Sequence, residues 1–239
     1  MPAAVSSPRL EAAPSGGWWV ARWASPLIAA GITDRRSAVP QLVGAVRGPV
    51  TVVAAEQVHG GSVAVVGSTR AGELLAGADA LVTDVPGVAL AIRTADCLPI
   101  FFADPGRRVV GLAHAGWRGI AAGLPARVVT AMRRSFQSRA RELHAAIGPS
   151  IRSCCYEVGE EFNARFGPHV QERQGRRTCD LIEAAMAQLT ACGMRPERIV
   201  DTQACTACDT QRWFSLRREG PTTGRLTSLI LLRPRARGR

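Results

Sequence analysis

The chain has 239 residues, 46% of them hydrophobic, and a formal net charge of +11. That much apolar material can bury a substantial core, so a disordered chain is excluded. The positive charge comes from arginine and none of it from lysine, which excludes Schiff-base or general-base chemistry by lysine. The arginines are scattered, and no groove-reading helix or base-stacking motif accompanies them. We therefore expect no specific nucleic-acid binding.

We expect neither a secretion signal nor a membrane span in the first part of the sequence. Residues 1–17 are rich in Pro, Ser, Ala and Gly, and we expect a flexible arm there, followed by one folded domain over 18–232 and a basic disordered tail over 233–239. The apolar stretch after Gly17 is broken by Arg22 and Pro26 and is too short to cross a bilayer. We expect a cytoplasmic protein whose cysteines are reduced.

Strand and helix patterns are interleaved along the chain, which favours an α/β or α+β fold. Apolar runs predict strands at 27–33, 50–58, 62–66, 79–84, 88–93, 98–103, 108–113, 143–147, 198–202 and 226–232. The strands 50–58 and 62–66 are expected to pair across the turn at Gly60 and Gly61.

Helices are predicted over 119–134, over 157–166 and from Asp180 to 191. In the first helix, Ile120, Leu124, Val128 and Met132 form an apolar stripe that is expected to pack on a sheet. The start of this helix is left open, because Pro125 fits better in the first turn of a helix that begins near Leu124. Asp180 with Glu183 resembles a capping pair.

Three potential metal ligands stand at the ends of predicted strands. His59 follows the strand 50–58, Cys97 lies between the strands 88–93 and 98–103, and His114 opens a glycine-spaced turn after 108–113. Each residue alone is more often a packed side chain. Two imidazoles and one thiolate together suit zinc and leave a fourth position for water, as in catalytic sites. Copper binds the same donors.

A cysteine nucleophile paired with His114 is the alternative for Cys97, and it leaves His59 without a role. Asp96, beside Cys97, is either a catalytic carboxylate that orients a ligand or moves a proton, or a turn cap. Arg118, beside Gly119 and a helix start, is a candidate anion clamp.

The remaining cysteines give a weaker signal. Cys205 and Cys208 form a CxxC, but no second CxxC at ribbon spacing accompanies it, so we predict structural packing. Cys154 and Cys155 are a vicinal pair that cannot easily close on itself.

Long blocks of the chain resemble the laccase-domain family, also called the peptidoglycan editing factor or polyphenol oxidase family. They are QVHG, DALVTDVPGVALAIRTADCLPIFFAD, GLAHAGWRGIAAG, AAIGPSIRSCCYEVGEEF and FSLRREGPTTGR, in this order over residues 51–232. The resemblance implies a mixed α/β fold layered α/β/β/α. It also implies one metal, usually zinc, held by His59, Cys97 and His114.

The activity that the resemblance implies is purine nucleoside chemistry: phosphorolysis of adenosine, inosine, guanosine and methylthioadenosine, and deamination of adenosine. The expected partners are a purine nucleoside and phosphate, the latter held by Arg35, Arg118 or Arg225. Some family members are described as copper-dependent phenol oxidases, and bacterial members are linked to editing of peptidoglycan precursors. A monomer or homodimer is expected.

The chain departs from the family near Arg35. Family members usually continue there through a Ser- and Gly-rich loop, an Asn-Leu-Gly segment and a helix, whereas here the next strand follows after a short segment. We expect the metal site to survive and substrate selectivity to change. The alternatives to a purine nucleoside enzyme are a copper-dependent phenol oxidase and a metal-binding protein with lost or altered activity. Arg93, within an otherwise apolar strand, has no explanation from the sequence.

Overall fold

A computed structural model describes residues 9–14, 16–21, 23–67 and 72–234. The strands are β1 (Arg9–Ala12), β2 (Trp18–Ala21), β3 (Ile28–Ile32), β4 (Thr51–Ala55), β5 (Val63–Val65), β6 (Leu74–Leu75), β7 (Ala80–Thr83), β8 (Val88–Thr94), β9 (Leu98–Asp104), β10 (Val109–Ala115), β11 (His144–Ile147), β12 (Val170–Arg173), β13 (Arg176–Cys179), β14 (Ile199–Asp201) and β15 (Leu226–Leu232). The α-helices are α1 (Val39–Gly44), α2 (Trp117–Ala121), α3 (Leu124–Phe136), α4 (Asn163–Phe166), α5 (Leu181–Ala191) and α6 (Leu216–Glu219).

Within the described residues the strands form two large mixed sheets and one hairpin. The first sheet has the order β1-β2-β3-β15-β8-β4-β6, and the second has the order β14-β11-β9-β10-β7-β5. The hairpin consists of β12 and β13. The chain passes from the first sheet to the second between β8 and β9, through residues 95–97. This crossing is where Cys97 lies.

The alternation of side chains along the strands explains the layers. In β9, Phe101 and Ala103 face the first sheet, while Phe102 faces the layer of α3 and α5. On the far side of the first sheet, Leu42 of α1 packs near Ala91. The order of layers is therefore helix, sheet, sheet, helix, which confirms the α/β/β/α architecture implied by the family resemblance.

Most predicted strands are confirmed within two or three residues. One predicted pairing is wrong: β4 and β5 do not pair across Gly60 and Gly61, because β4 lies beside β8 in the first sheet and β5 beside β7 in the second. The turn therefore links two sheets rather than two strands of a hairpin, and it carries His59 between them.

The helix predictions are confirmed in part. Gly123, with φ of 75°, breaks the region 119–134 into α2 and α3, and Pro125 stands in the first turn of α3 as its fixed φ favours. Asp180 caps α5 by accepting the backbone N–H groups of Ile182 and Glu183. The single helix predicted over 157–166 is wrong; only short helical turns form there, the longest being α4.

The N-terminal part of the chain differs from the expectation, and parts of both ends lie outside the described residues. Strand β1 falls inside the predicted arm over 1–17 and pairs with β2, so regular structure begins before Trp18. Residues 1–8 and 15 of the arm, and 235–239 of the predicted tail, lie outside the described residues. The short segment after Arg35 holds α1, a helix of six residues. No helix among the described residues is long and apolar enough to cross a membrane.

Leu112 tests the core between the sheets, where it is fully buried. Leu112→Ala should lower the free energy of unfolding by about 2–5 kcal/mol, because it removes buried methyl groups and leaves a cavity. Urea denaturation measures the change. The control Leu74→Ala removes a side chain that is 60% exposed, and its effect should stay within about 0.5 kcal/mol. Equal effects of the two changes would contradict this packing.

Candidate metal centre

The two sheets bring the three predicted ligands to one edge. Strands β4 and β8 are parallel, with Ala54 opposite Ala91, so the segment that leads to His59 and the segment that leads to Cys97 leave the first sheet at the same edge. In the second sheet His114 of β10 is paired with Pro99 of β9, two residues after Cys97. A centre at this position depends on the correct packing of both sheets.

The potential donor atoms of His59, Cys97 and His114 all lie within 4.8 Å of one another. The two imidazole rings meet edge to face, with centroids 4.7 Å apart and planes at 84°. His114 is buried, Cys97 is half-buried and His59 is exposed. One side of the set, at His114, therefore faces the protein interior, and the other side, at His59, faces solvent. The structure brings together the three residues that the sequence indicated as metal ligands.

Asp79 organises this set, although the sequence did not predict it as a site residue. Its side chain is fully buried, and its carboxylate accepts hydrogen bonds from the backbone N–H groups of His59 (2.9 Å) and Gly60 (2.6 Å). The same carboxylate lies 3.1 Å from Nδ1 of His114. An ionised carboxylate only accepts, so Nδ1 of His114 carries the proton and Nε2 faces the other ligands. This is the carboxylate–histidine arrangement that orients metal-binding imidazoles.

The pKa of Asp79 is held below its usual value. Burial alone would raise the pKa, but hydrogen bonds from His114 and from Gly60 outweigh that effect. The carboxylate is therefore ionised at neutral pH, as its accepting role requires. The sequence places this carboxylate directly before the apolar strand β7, but Asp84, directly after the same strand, is exposed, so this position alone does not mark a buried functional carboxylate.

Cys97 and His114 shift each other's pKa. Burial opposes charge on both residues, yet the hydrogen bonds with His114 and His59 lower the pKa of Cys97 to about 7, and those with Asp79 and Cys97 raise the pKa of His114 to about 9. Without a cation, a thiolate next to an imidazolium is the stable state between these values. A bound metal has to displace the proton from Nε2 of His114, so its affinity rises as the pH rises towards about 9.

The backbone around the centre is strained. Gln57, His59 and Asp96 have φ values of 66°, 60° and 91°, a region that residues with a side chain seldom adopt. The side-chain amide of Gln57 holds the backbone of Arg93, accepting its N–H at 2.7 Å and donating to its carbonyl at 2.6 Å. The Arg93 side chain itself is exposed, and nothing in the structure explains it.

Two glycines of the HAGWRG block allow close approach. A Cβ at Gly116 would lie 3.0 Å from Sγ of Cys97, and a Cβ at Gly119 would lie 3.1 Å from the carbonyl oxygen of Gly60. Neither position can take a larger residue without moving the ligand loops. The glycines predicted as a turn thus set the distance between α2 and His59.

Asp96 does not face the three ligands with a free carboxylate. Its Oδ1 accepts the hydroxyl of Thr206 at 2.6 Å and its Oδ2 accepts the backbone N–H of Arg217 at 2.7 Å. Asp96 is nearly buried. It ties the crossing segment, and with it Cys97, to the C-terminal part of the chain. A direct role in proton transfer stays a prediction.

The three predicted phosphate-binding arginines lie in different settings. The guanidinium of Arg35 donates to the carbonyl of Trp213 at 3.1 Å, pairs with Glu219 and lies over the ring of Phe214. Arg225 donates to backbone carbonyls of Thr223 and Gly224. Arg118 is exposed and lies over the ring of Trp117, in the helix that directly follows His114.

A second group of potential ligands was not foreseen. The thiols of Cys154, Cys155, Cys205 and Cys208 lie within 4.8 Å of one another. The CxxC predicted structural packing because no second CxxC at ribbon spacing accompanies it. The partner is instead the vicinal pair about fifty residues upstream, which reaches the CxxC only through the fold.

Residues 16–233 match the protein family described as multi-copper polyphenol oxidoreductase laccase. Over 194 residues the chain is 36% identical to the purine nucleoside phosphorylase YlmD of Geobacillus stearothermophilus, covering 74% of this chain and 71% of that protein. The crystal structure of that YlmD is similar with a TM-score of 0.83 and 28% identity, covering 95% of this chain and 100% of that one.

Two further relatives are matched over a smaller part of their length. The chain is 42% identical over 166 residues to a purine nucleoside phosphorylase of Deinococcus radiodurans, covering 67% of this chain and 63% of that protein. It is 38% identical over 160 residues to adenosine deaminase RL5 of an unknown prokaryotic organism, covering 63% and 61%. The chain thus spans less than two thirds of these two relatives.

Asp79→Asn should weaken zinc binding about 10- to 100-fold, because the amide cannot orient His114 and the loop of His59 together. Competition with a chelator, at a pH near the pKa of His114, measures the affinity. Asp104→Asn is the matched control, since Asp104 is also buried but accepts only the backbone of Arg107 among the contacts described. Equal zinc affinity in parent and Asp79→Asn would contradict the role given to Asp79.

Proposed function

The chain belongs to the multi-copper polyphenol oxidoreductase laccase family, and from this premise we propose that it is a zinc-dependent purine nucleoside enzyme. The proposed reactions are phosphorolysis of adenosine, inosine, guanosine and methylthioadenosine, and deamination of adenosine. The observation that carries the proposal is the set of three potential ligands, His59, Cys97 and His114. It is supported by the similarity to relatives that are named purine nucleoside phosphorylase and adenosine deaminase.

The donor set fits a zinc ion. Two imidazoles and one thiolate are typical zinc ligands, and three protein ligands leave one position of a tetrahedron for water or substrate. The protein prepares these donors, since Asp79 fixes the tautomer of His114 and the pKa of Cys97 lies near neutrality at about 7. When bound, zinc would supply a Lewis acid that polarises an oxygen or lowers the pKa of water.

The residues of the chain have separate tasks in this proposal. His59, Cys97 and His114 hold the ion, and Asp79 keeps the proton on Nδ1 of His114. The exposed guanidinium of Arg118 holds phosphate at the same edge, because it follows His114 by four residues in α2. Arg35 and Arg225 are the second choices. Arg35 follows β3 and Arg225 directly precedes β15, and β15 lies between β3 and β8, the strand that leads to Cys97.

Copper-dependent phenol oxidation is the weaker candidate. Oxidation of phenols by oxygen in multiple one-electron steps needs several copper ions with histidine-rich ligands. Among the described residues, the two groups that could hold a metal are one with two histidines and one with none. These two sets of potential ligands favour the nucleoside reactions.

A cytoplasmic location and a part in editing peptidoglycan precursors are further proposals. The location is supported by the seven unpaired cysteines.

A screen of purine nucleosides, with and without phosphate, tests the function. We expect base release that requires phosphate, ammonia release from adenosine without it, loss of both after treatment with a chelator, and recovery with added zinc. Iodoacetamide should label Cys97 quickly only in the metal-free protein, because a zinc-bound thiolate is a poor nucleophile. The control Cys192→Ser removes a cysteine outside both ligand groups and should behave like the parent.

The cysteine-nucleophile alternative makes the opposite demand. If the metal-free protein turns over nucleosides at the full rate and iodoacetamide abolishes that activity, Cys97 and His114 act as a catalytic pair and zinc is incidental.

Arg118→Ala should raise the KM for phosphate about 10- to 100-fold, since a charged hydrogen-bonding partner of the anion is lost, while deamination changes much less. Steady-state kinetics of both reactions give the comparison. Arg134→Ala, another exposed arginine on the following helix, is the control and should leave both reactions unchanged. Equal losses in both reactions for Arg118→Ala would show that Arg118 holds the turn and does not bind phosphate.

A further inference from the structure

Four cysteines form a compact group apart from the three-ligand centre. Sγ of Cys154 lies 3.7 Å from that of Cys155, 3.8 Å from that of Cys205 and 3.6 Å from that of Cys208, and Sγ of Cys155 lies 3.4 Å from that of Cys208. The remaining two pairs are within 4.8 Å. All four thiols are free. Four sulfur atoms, from two segments that are far apart in the sequence, thus lie close to one another like the corners of a tetrahedron.

These distances are those of a tetrahedral metal–thiolate site. Zinc–sulfur bonds of about 2.3 Å at tetrahedral angles place neighbouring sulfur atoms about 3.8 Å apart. A disulfide needs about 2.05 Å instead, and a vicinal pair such as Cys154 and Cys155 closes one only with strain. We propose that Cys154, Cys155, Cys205 and Cys208 form a second, structural zinc site with four thiolate ligands.

The backbone around Cys205 is arranged for a thiolate. The turn 205–208 is closed by the N–H of Asp209, which donates to the carbonyl of Cys205 at 3.2 Å. Burial raises the pKa of the Cys205 thiol, but hydrogen bonds from the backbone of Arg152, Cys208 and Ala207 lower the pKa by more. Amides that point at the first sulfur of a CxxC turn stabilise its negative charge, as a metal-bound sulfur requires.

The other thiols need a cation before they ionise. Burial first, and then the neighbouring thiols, raise the pKa of Cys154. Burial first, and then the thiol of Cys208, raise the pKa of Cys155 to about 11, although the hydrogen bond with Cys154 acts in the other direction. Four thiolates this close repel one another strongly, and a divalent cation removes that cost. Arg152 and Arg212 line the same cavity as Cys154, Cys205 and Cys208, and each is paired with a carboxylate, that of Asp201 and that of Asp209 respectively.

The site would join two segments that otherwise meet through few backbone contacts. Ser150 donates its N–H to Ala204 at 3.2 Å and accepts that of Thr206 at 3.0 Å. Thr206, between the two cysteines of the CxxC, donates its hydroxyl to Asp96, the neighbour of Cys97. A zinc ion here would therefore brace the segments that hold Asp96 in place. Its role is structural, because four protein ligands leave no position for substrate.

Metal content of the full chain, purified reduced and without chelator, tests the site. We expect two zinc ions per chain in the parent, one in Cys205→Ser/Cys208→Ser and one in His59→Ala/Cys97→Ser. The control Cys179→Ser/Cys192→Ser, which removes the two cysteines outside both groups, should keep two. Two zinc ions in Cys205→Ser/Cys208→Ser, or none in His59→Ala/Cys97→Ser, would overturn the proposal.

Cobalt provides a readout that does not depend on the serine variant folding. Co²⁺ added to His59→Ala/Cys97→Ser should give the intense thiolate-to-cobalt absorption of a four-thiolate site, and Zn²⁺ should bleach it. The absence of that absorption, with all four thiols open to rapid labelling in the folded protein, would overturn the proposal. Either result leaves the nucleoside activity of the parent to be judged separately, because the two sites lose their metal in different variants.

Discussion

The candidate metal centre depends on the hydrogen bonds that the buried carboxylate of Asp79 accepts. One oxygen meets Nδ1 of His114 and the backbone N–H of His59, and the other meets the N–H of Gly60. An ionised group without these partners would be far too costly at full burial. The same hydrogen bonds hold His59 at a φ of 60°. One hydrogen-bond network thus stabilises both the buried charge of Asp79 and the strained backbone of His59. The same network fixes two of the three candidate ligands, His59 and His114.

The strands and the three ligands were predictable because their signals are local. Apolar runs gave β3, β7, β8, β9, β10, β11, β14 and β15, and His59, Cys97 and His114 stand where such runs meet glycine or a polar break. The capping role of Asp180 and the break before α3 were also visible, since a cap and a first-turn proline act within a few residues. The family blocks then supplied the layer order, which local patterns do not contain.

Two of the failed predictions depended on partners far away in the sequence. The segments of β4 and β5 alternate like a hairpin around Gly60 and Gly61, but each finds a better partner in a different sheet, and only the assembled sandwich decides between these pairings. Asp79 was missed for the same reason, since its partners are twenty and thirty-five residues away. The helix predicted over 157–166 had an apolar face but too little of it: Phe162 and Phe166 are buried, and short helical turns are enough to bury them.

The two cysteine-containing groups also differ in how they tie the molecule together. The first group lies where the chain crosses from β8 to β9, so its geometry depends on the packing of both sheets. The second group joins the turns at 154–155 and 205–208, and Thr206 carries that junction to Asp96, directly beside Cys97. Asp96 has a φ of 91°, a conformation that persists only when its surroundings hold it. The hydroxyl of Thr206 and the N–H of Arg217 bind its carboxylate, and the N–H of Ile151 donates to its carbonyl at 2.9 Å. Loosening the second group would therefore release a strained residue next to Cys97, a proposed metal ligand. This physical link would connect the proposed structural ion to the proposed chemistry at the other group of ligands.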